Sequence, residues 1–379
     1  MKKWFQCIFI VSLLQLTACW DSSNIESLSF VMGVGIEVQE DQEDTIGLLT
    51  QLYLPLSDEN ISSSISYRNK YSTGNSVLDA IRHLELIDQG IMSDHQMILV
   101  LDTDAVKKWG VEKLINQKIR DERTKRGVKV VLTNESLGTL FSYPKGNNAS
   151  PTSKTIDDLS ENKDRTTEIP APVTLGLLAD SASRHQSIVL PNVRVKDDNI
   201  KFDGGYIVKN GEEMGTYVSP YQVSLLNWLT GDIKGGVLTK VVNGNRTVYE
   251  ILDVHLDSIE TSLTNDRLRI DIKVSSDGRL AENWDPHEDA YDAQYLKNLE
   301  KELQAQLTSD VETMIHELQH EFKTDPVNLQ QYVKIQHYDF WEKKQSNWDA
   351  VFEQADIHYE VDLSIIDFGT RGNRSEIHE

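Results

Sequence analysis

Both cysteines of the 379-residue chain, Cys7 and Cys19, lie within its first twenty residues. Whatever folds after residue 19 therefore has no disulfide to close its loops and no thiolate to act as an internal nucleophile. Stability has to come from burying apolar side chains. A hydrophobic content of 39% supplies them, and the length allows about two to three domains of ordinary size. Wholesale disorder and a collagen-like repeat are excluded by the same composition. The formal net charge of −22 excludes nucleic acid as a partner, because such a surface offers nothing to displace the counterions of a phosphate backbone.

The residues around the cysteines explain why they sit where they do. Lys2 and Lys3 precede an apolar run from Trp4 to Leu14, and Leu16-Thr17-Ala18 leads into Cys19. A basic start, a short apolar core and small residues before a cysteine have the form of a lipoprotein signal. Residues 1–18 are expected to be removed, taking Cys7 with them, and the Cys19 thiol is expected to carry diacylglycerol. Loss of Lys2 and Lys3 takes the charge from −22 to −24. A body this acidic is repelled by anionic lipid, so attachment rests on the lipid at Cys19, and one weak anchor is best supplemented by a second chain or a membrane partner.

Along the body, 28–38 and 46–54 read as paired strands, with the acidic run Glu37, Glu40, Asp41, Glu43, Asp44 at their turn. That run lacks the spacing of a calcium loop. Gly33 and Gly35 lack the third glycine and the following helix of a dinucleotide loop. A capped helix is expected at 75–88, a buried strand at 97–101, a helix over 104–120 and a strand at 127–132. The Pro-, Asn-, Ser- and Thr-rich stretch 144–170 reads as a long mobile loop. A helix at 171–184 and a strand at 187–195 follow, then a boundary near 196–200. The second half reads as a hairpin about Asn210-Gly211, a helix at 219–229, strands at 246–256 and 267–275, a helix near 346–354 and a strand at 357–365. Between them, Leu296, Leu299, Leu303, Leu307, Val311, Met314, Leu318 and Phe322 mark one long amphipathic helix over 290–323. The expected fold class is α+β: a mixed multi-domain body of small β-sheets packed with helices, divided into 19–196 and 200–379.

One motif suggests chemistry. His316-Glu317-Leu318-Gln319-His320 fits HExxH, which in zinc peptidases puts two imidazoles on the metal and a glutamate beside its water. An exported zinc metallopeptidase using His316, Glu317 and His320 is the alternative function, with Glu342 or His337 as the available third ligand. Against it, Lys323 and Pro326 stand where the longer metzincin motif has Gly and His. On the helical wheel, moreover, both histidines point away from the Met314–Leu318 stripe toward solvent. The surface reading is favoured, with no metal and no catalytic set. Trp228, Trp284, Trp341 and Trp348 read as core residues before ligand platforms. No G-x-S-x-G elbow is present.

The pattern as a whole resembles the Ger(x)C family, the C-subunit lipoproteins of spore germinant receptors in endospore-forming bacteria. The likeness runs from Cys19-Trp20-Asp21, Ile25-Glu26 and Gly33-Val34-Gly35-Ile36 through His95, Ala105, Gly110, Arg120-Asp121 and Arg126. It continues with Gly204-Gly205-Tyr206-Ile207-Val208, Gly215 and Leu225-Leu226-Asn227-Trp228-Leu229, and ends with the long helix, Asp339 and Trp348 to Phe352, spanning residues 19–370. The segment FWEKKQSN after Asp339 looks shorter than the family's. The resemblance implies a non-enzymatic subunit without cofactor, lipid-anchored through Cys19 on the outer face of the spore inner membrane. It also implies assembly with A-type and B-type integral membrane subunits in nutrient-triggered germination. No ligand-binding residue is implied.

Overall fold

In the computed structural model the residues described are 28–39, 44–54, 66–88, 90–145, 150–286 and 289–369. Residues 1–27, which include the expected leader and Cys19, lie outside them, as does most of the acidic run.

The first half builds a ten-stranded mixed sheet. Strands β1 (Ser29–Val38), β2 (Ile46–Leu54) and β3 (Ser66–Gly74) form an antiparallel meander. After helix α1 (Val77–Glu85), capped by Ser76 as expected, and the short β4 (Ile91–Met92), strand β5 (Ile98–Asp102) lies parallel to β1. Helices α2 (Thr103–Trp109) and α3 (Val111–Arg120) then cross over to β6 (Lys129–Thr133), parallel to β5. The single helix expected over 104–120 is broken at Gly110, whose φ is +77°. A Cβ there would also collide with the Glu212 carboxylate, which accepts from the Glu112 amide and so caps α3.

Helices α4 (Leu137–Leu140) and α5 (Thr152–Ser160) follow, then β7 (Val173–Thr174), α6 (Leu175–Ser183) and β8 (Ile188–Lys196). Helix α5 corrects the expected mobile loop over 144–170. Its buried positions are Thr152, Ser153, Ile156 and Ser160, so small polar residues occupy the face where apolar periodicity would have announced a helix. Residues 161–165 continue it as a 3-10 turn.

Strands β9 (Asn199–Lys209) and β10 (Glu213–Val218) complete the sheet in the order β10-β9-β8-β6-β5-β1-β2-β3, with β4 beside β1 and β7 beside β6. The segment read as a boundary at 196–200 is a hairpin turn inside this sheet: Lys196 pairs with Asn199, and Asp197 and Asp198 take positive φ.

Alternation along the strands gives this sheet two cores. Leu99, Leu101, Val130 and Leu132 pack with α1, α2, α3 and α6, whereas Ile98, Val100 and Val131 pack with α4 and α5 on the other face.

Helix α7 (Pro220–Thr230) carries a full capping box between Ser219 and Gln222 and ends at the left-handed Gly231. It leads to a second, four-stranded sheet of β11 (Gly236–Val242), β12 (Asn245–Thr264), β13 (Arg267–Asn283) and β14 (Asp356–Asp367), in that order, with β14 parallel to β13. Between β13 and β14 come the long helix α8 (Ala293–His316), extended by a π-helical turn over Glu317–Phe322, and helices α9 (Gln330–Gln336), α10 (Tyr338–Lys344) and α11 (Trp348–Glu353). Leu299, Leu303, Leu307, Val311, Met314 and Leu318 are all buried on the stripe expected for that helix, and Leu296 is partly so. The fold is mixed α+β, as its sequence pattern implies.

Candidate functional site

The HExxH segment sits where α8 widens into its π turn. His316 and His320 are both exposed, and their rings meet edge to face with centroids 4.4 Å apart. Glu317 turns the other way: its Oε2 accepts from Gln222 Nε2 at 2.7 Å, tying α8 to the cap of α7. Gln319 is buried and donates to the carbonyls of Phe352 and Ala355 at 2.7 and 2.8 Å, fixing α11 beneath the turn. His337 bonds the Thr261 carbonyl through Nε2, and Glu342 lines a cleft elsewhere. Among the described residues no three His, Cys, Asp or Glu side chains come close enough to hold a metal ion. The segment thus presents two imidazoles to solvent and uses its remaining polar groups as structural ties.

The tryptophans divide. Trp228 and Trp348 are buried, Trp284 is exposed under Arg246, and Trp341 is partly buried with the Lys334 ammonium over its ring at 4.5 Å. Gly33 and Gly35 serve packing. A Cβ on Gly33 would collide with Ser153 Oγ, and one on Gly35 would stand 2.7 Å from the Leu137 methyls, so both glycines admit the helices lying on β1.

A cleft of about 1150 Å³ opens at the seam between the first sheet and the helices after α8. Its walls are pinned together just beyond α8. Ser187 Oγ and Thr324 Oγ1 lie 2.6 Å apart, the Asn210 amide donates to Ser187, and Lys209 Nζ donates to the Phe322 carbonyl at 2.7 Å. Lys323 ends the helix in the left-handed region at φ +52°, and Thr324-Asp325-Pro326 turns the chain into the cleft wall.

Asp325 is 2% exposed. Its Oδ2 accepts from the Gln330 amide and from Trp348 Nε1, both at 3.0 Å, which fixes α9 and α11. The Leu329 amide also acts on this carboxyl, while Asn328 Oδ1 meets no donor and Trp341 Nε1 no acceptor, both atoms shut away from solvent behind the cleft lining. Burial pushes the Asp325 carboxyl up to about 6, against the pull of the Leu329 and Gln330 amides and the Trp348 indole. Asp349, also in the lining, is raised by burial, with Thr324 and Lys209 opposing. Among the described residues no cation stands within ion-pair distance of Asp325. Sequence reading missed this residue. Asp before Pro signals a helix start, and nothing in the letters announces that this one is buried.

The comparisons cover the chain almost end to end. The spore germination protein N-terminal domain matches residues 21–195, and the spore germination B3/GerAC-like C-terminal domain matches residues 203–369. The chain is 30% identical over 371 residues to spore germination protein B3 of Bacillus subtilis (strain 168), covering 97% of this chain and 98% of that relative. It is likewise 30% identical over 377 residues to spore germination protein A3 of the same organism, covering 98% and 99%. The crystal structure of the GerBC protein is similar with a TM-score of 0.63 at 26% identity, covering 90% of this chain and all of that one.

Proposed function

Because the chain belongs to the Ger(x)C family of spore germinant receptor C subunits, we propose that it works as a lipid-anchored, non-catalytic subunit held at the spore inner membrane. There it takes part in nutrient-triggered germination by assembling with A-type and B-type integral membrane subunits. The observation that carries this reading is the end-to-end match to two germination proteins. The anchor is the acyl chain on Cys19. Among the described residues no helix is long and apolar enough to cross a membrane, and the acidic body gains nothing from anionic headgroups. Anchoring raises the effective concentration of the folded body beside its partners, so that modest contacts suffice for assembly.

The test is complementation of spores lacking this chain with the wild type, Cys19→Ala and His316→Ala/His320→Ala, followed by membrane fractionation and co-purification of the other subunits. The wild type and the histidine variant are expected to restore germination from the membrane fraction. Cys19→Ala is expected to be released and to restore it poorly. Full germination with the Cys19→Ala protein free of the membrane would sink the anchored-subunit reading.

A further inference from the structure

The parallel strands β1, β5 and β6 all begin at one end of the first sheet, and three stretches of chain meet there. Ser29 N donates to the Gly90 carbonyl and Phe30 pairs with Met92, which seats residues 86–92 beside the start of β1. Met97 N donates to the Met32 carbonyl, and the Met97 carbonyl accepts from Lys129 N, which brings in the start of β6. Phe30, Met32, Tyr53, His95 and Met97 line a groove of about 440 Å³ together with Lys125. Leu86 and Ile87, just past α1, are 80% and 58% exposed. The turn into β6 carries four exposed cations, Arg120, Arg123, Lys125 and Arg126, against the carboxylates Asp121 and Glu122. Arg123 pairs with Asp121, and among the described residues the other three form no ion pair. Nearby, Arg68 holds Asp88 and Arg82 holds Glu85. At the opposite end, where the same strands finish, Glu37, Asp102, Asp104 and Glu135 line a hollow with a single cation, Lys108, among its lining residues.

Exposed aliphatic side chains beside unpaired cations suit a lipid headgroup layer. The chain also enters the body at this end: Ser29 stands ten residues after Cys19, a span that reaches at most about 35 Å. We propose that this end of the first sheet rests on the bilayer, with Leu86 and Ile87 at headgroup depth and Arg120, Lys125 and Arg126 on lipid phosphates, so that the acidic end points away. The inference rests on the acylated Cys19 proposed above and adds an orientation to it. The anchor supplies the affinity, and the face has only to bias a body already tethered. Repulsion of the acidic remainder acts in the same sense, because it disfavours every other end at the surface.

For the test, the mature acylated chain is placed on vesicles of mixed phosphatidylcholine and phosphatidylglycerol, with one fluorophore on Gly127→Cys or on Gly138→Cys. These glycines flank β6 at its two ends, both are exposed, and a Cβ at either meets no atom within 4 Å. Quenching by headgroup-labelled lipid is expected to be about fivefold or more stronger at residue 127 than at residue 138. Leu86→Ser/Ile87→Ser and Arg120→Ser/Lys125→Ser/Arg126→Ser alter exposed side chains only and are expected to fold and to float with the vesicles. Each is expected to cut the contrast about threefold or more. Equal quenching at both positions in floated protein would overturn the proposal and leave this end for a protein partner. So would an undiminished contrast in either variant. Wild-type protein that fails to float would instead remove the anchor, and the orientation with it.

Discussion

Asp325 is a carboxyl buried with no cation in ion-pair distance among the described residues. In the unfolded chain a carboxyl titrates near 3.8, whereas that of Asp325 in the fold titrates near 6. Between those values the native state binds the extra proton. Stability contributed by the protonated form is therefore lost as pH rises through that window, and the penalty persists above it. Asp102 behaves alike: it caps α2 through the Ala105 amide at 3.0 Å, yet burial raises it to about 6. Asp325→Asn removes the charge and keeps an oxygen for Trp348. It is expected to raise unfolding free energy at pH 7.5 by up to about 3 kcal/mol, with no gain at pH 4. Urea denaturation at both pH values checks this, and an equal effect at both would mean the charge is not the cause. Within HExxH the wheel argument correctly aimed the histidines at solvent, but Gln319, in a position the motif leaves open, carries the structural weight. Gln319→Leu leaves the Phe352 and Ala355 carbonyls without their donor and is expected to cost about 2–4 kcal/mol. His316→Ala/His320→Ala should stay within about 0.5 kcal/mol of wild type by the same denaturation.

At the scale of elements, legibility followed the chemistry of the buried face. Strands β1, β2 and β5 and the stripe of α8 were readable because their inward residues are Val, Ile and Leu. Helix α5 was not, since three of its four buried residues are Thr152, Ser153 and Ser160, with Ser153 set against Gly33 of β1. A seam of small residues lets a helix backbone approach a sheet closely, but it leaves no hydrophobic period to count. The π turn after His316 was equally silent, because the bonds that accompany it, Glu317 to Gln222 and Gln319 to α11, are long-range. If that close approach is the reason for the glycine, Gly33→Ala should cost about 1–3 kcal/mol by overpacking. Ser153→Gly in the same background should then recover part of the loss despite the penalty of about 1 kcal/mol for glycine in a helix. Denaturation midpoints of the two single variants and the double variant measure this coupling, and strictly additive losses would show that the two residues do not meet.

For the whole molecule, the sequence boundary at 196–200 lies inside a continuous sheet. The letters VKDDN read as a boundary because charge and Asp-Asp-Asn interrupt the apolar pattern, yet those residues are also what a two-residue turn with positive φ requires. Strand β9 lies past that point and joins three cores. Phe202 packs under the first sheet with α5, Val208 packs over it with α6, and Ile207 enters the core of the second sheet with α7. Residues 199–218 thus finish the first sheet while belonging by sequence to the second half. A fragment covering 28–196 would end with β8 as a bare edge and with the Phe202 and Val208 sites empty, so it is expected to lack fixed tertiary structure and to aggregate. A fragment covering 28–218 restores the hairpin and both faces of that sheet, exposing chiefly Ile207 and Val218, and is expected to unfold cooperatively at lower urea than the full chain. Near-UV circular dichroism and urea titration of the two fragments decide the matter. A cooperative 28–196 fragment as stable as 28–218 would mean that the first sheet is complete without β9, and that the seam bearing the cleft joins two independent bodies.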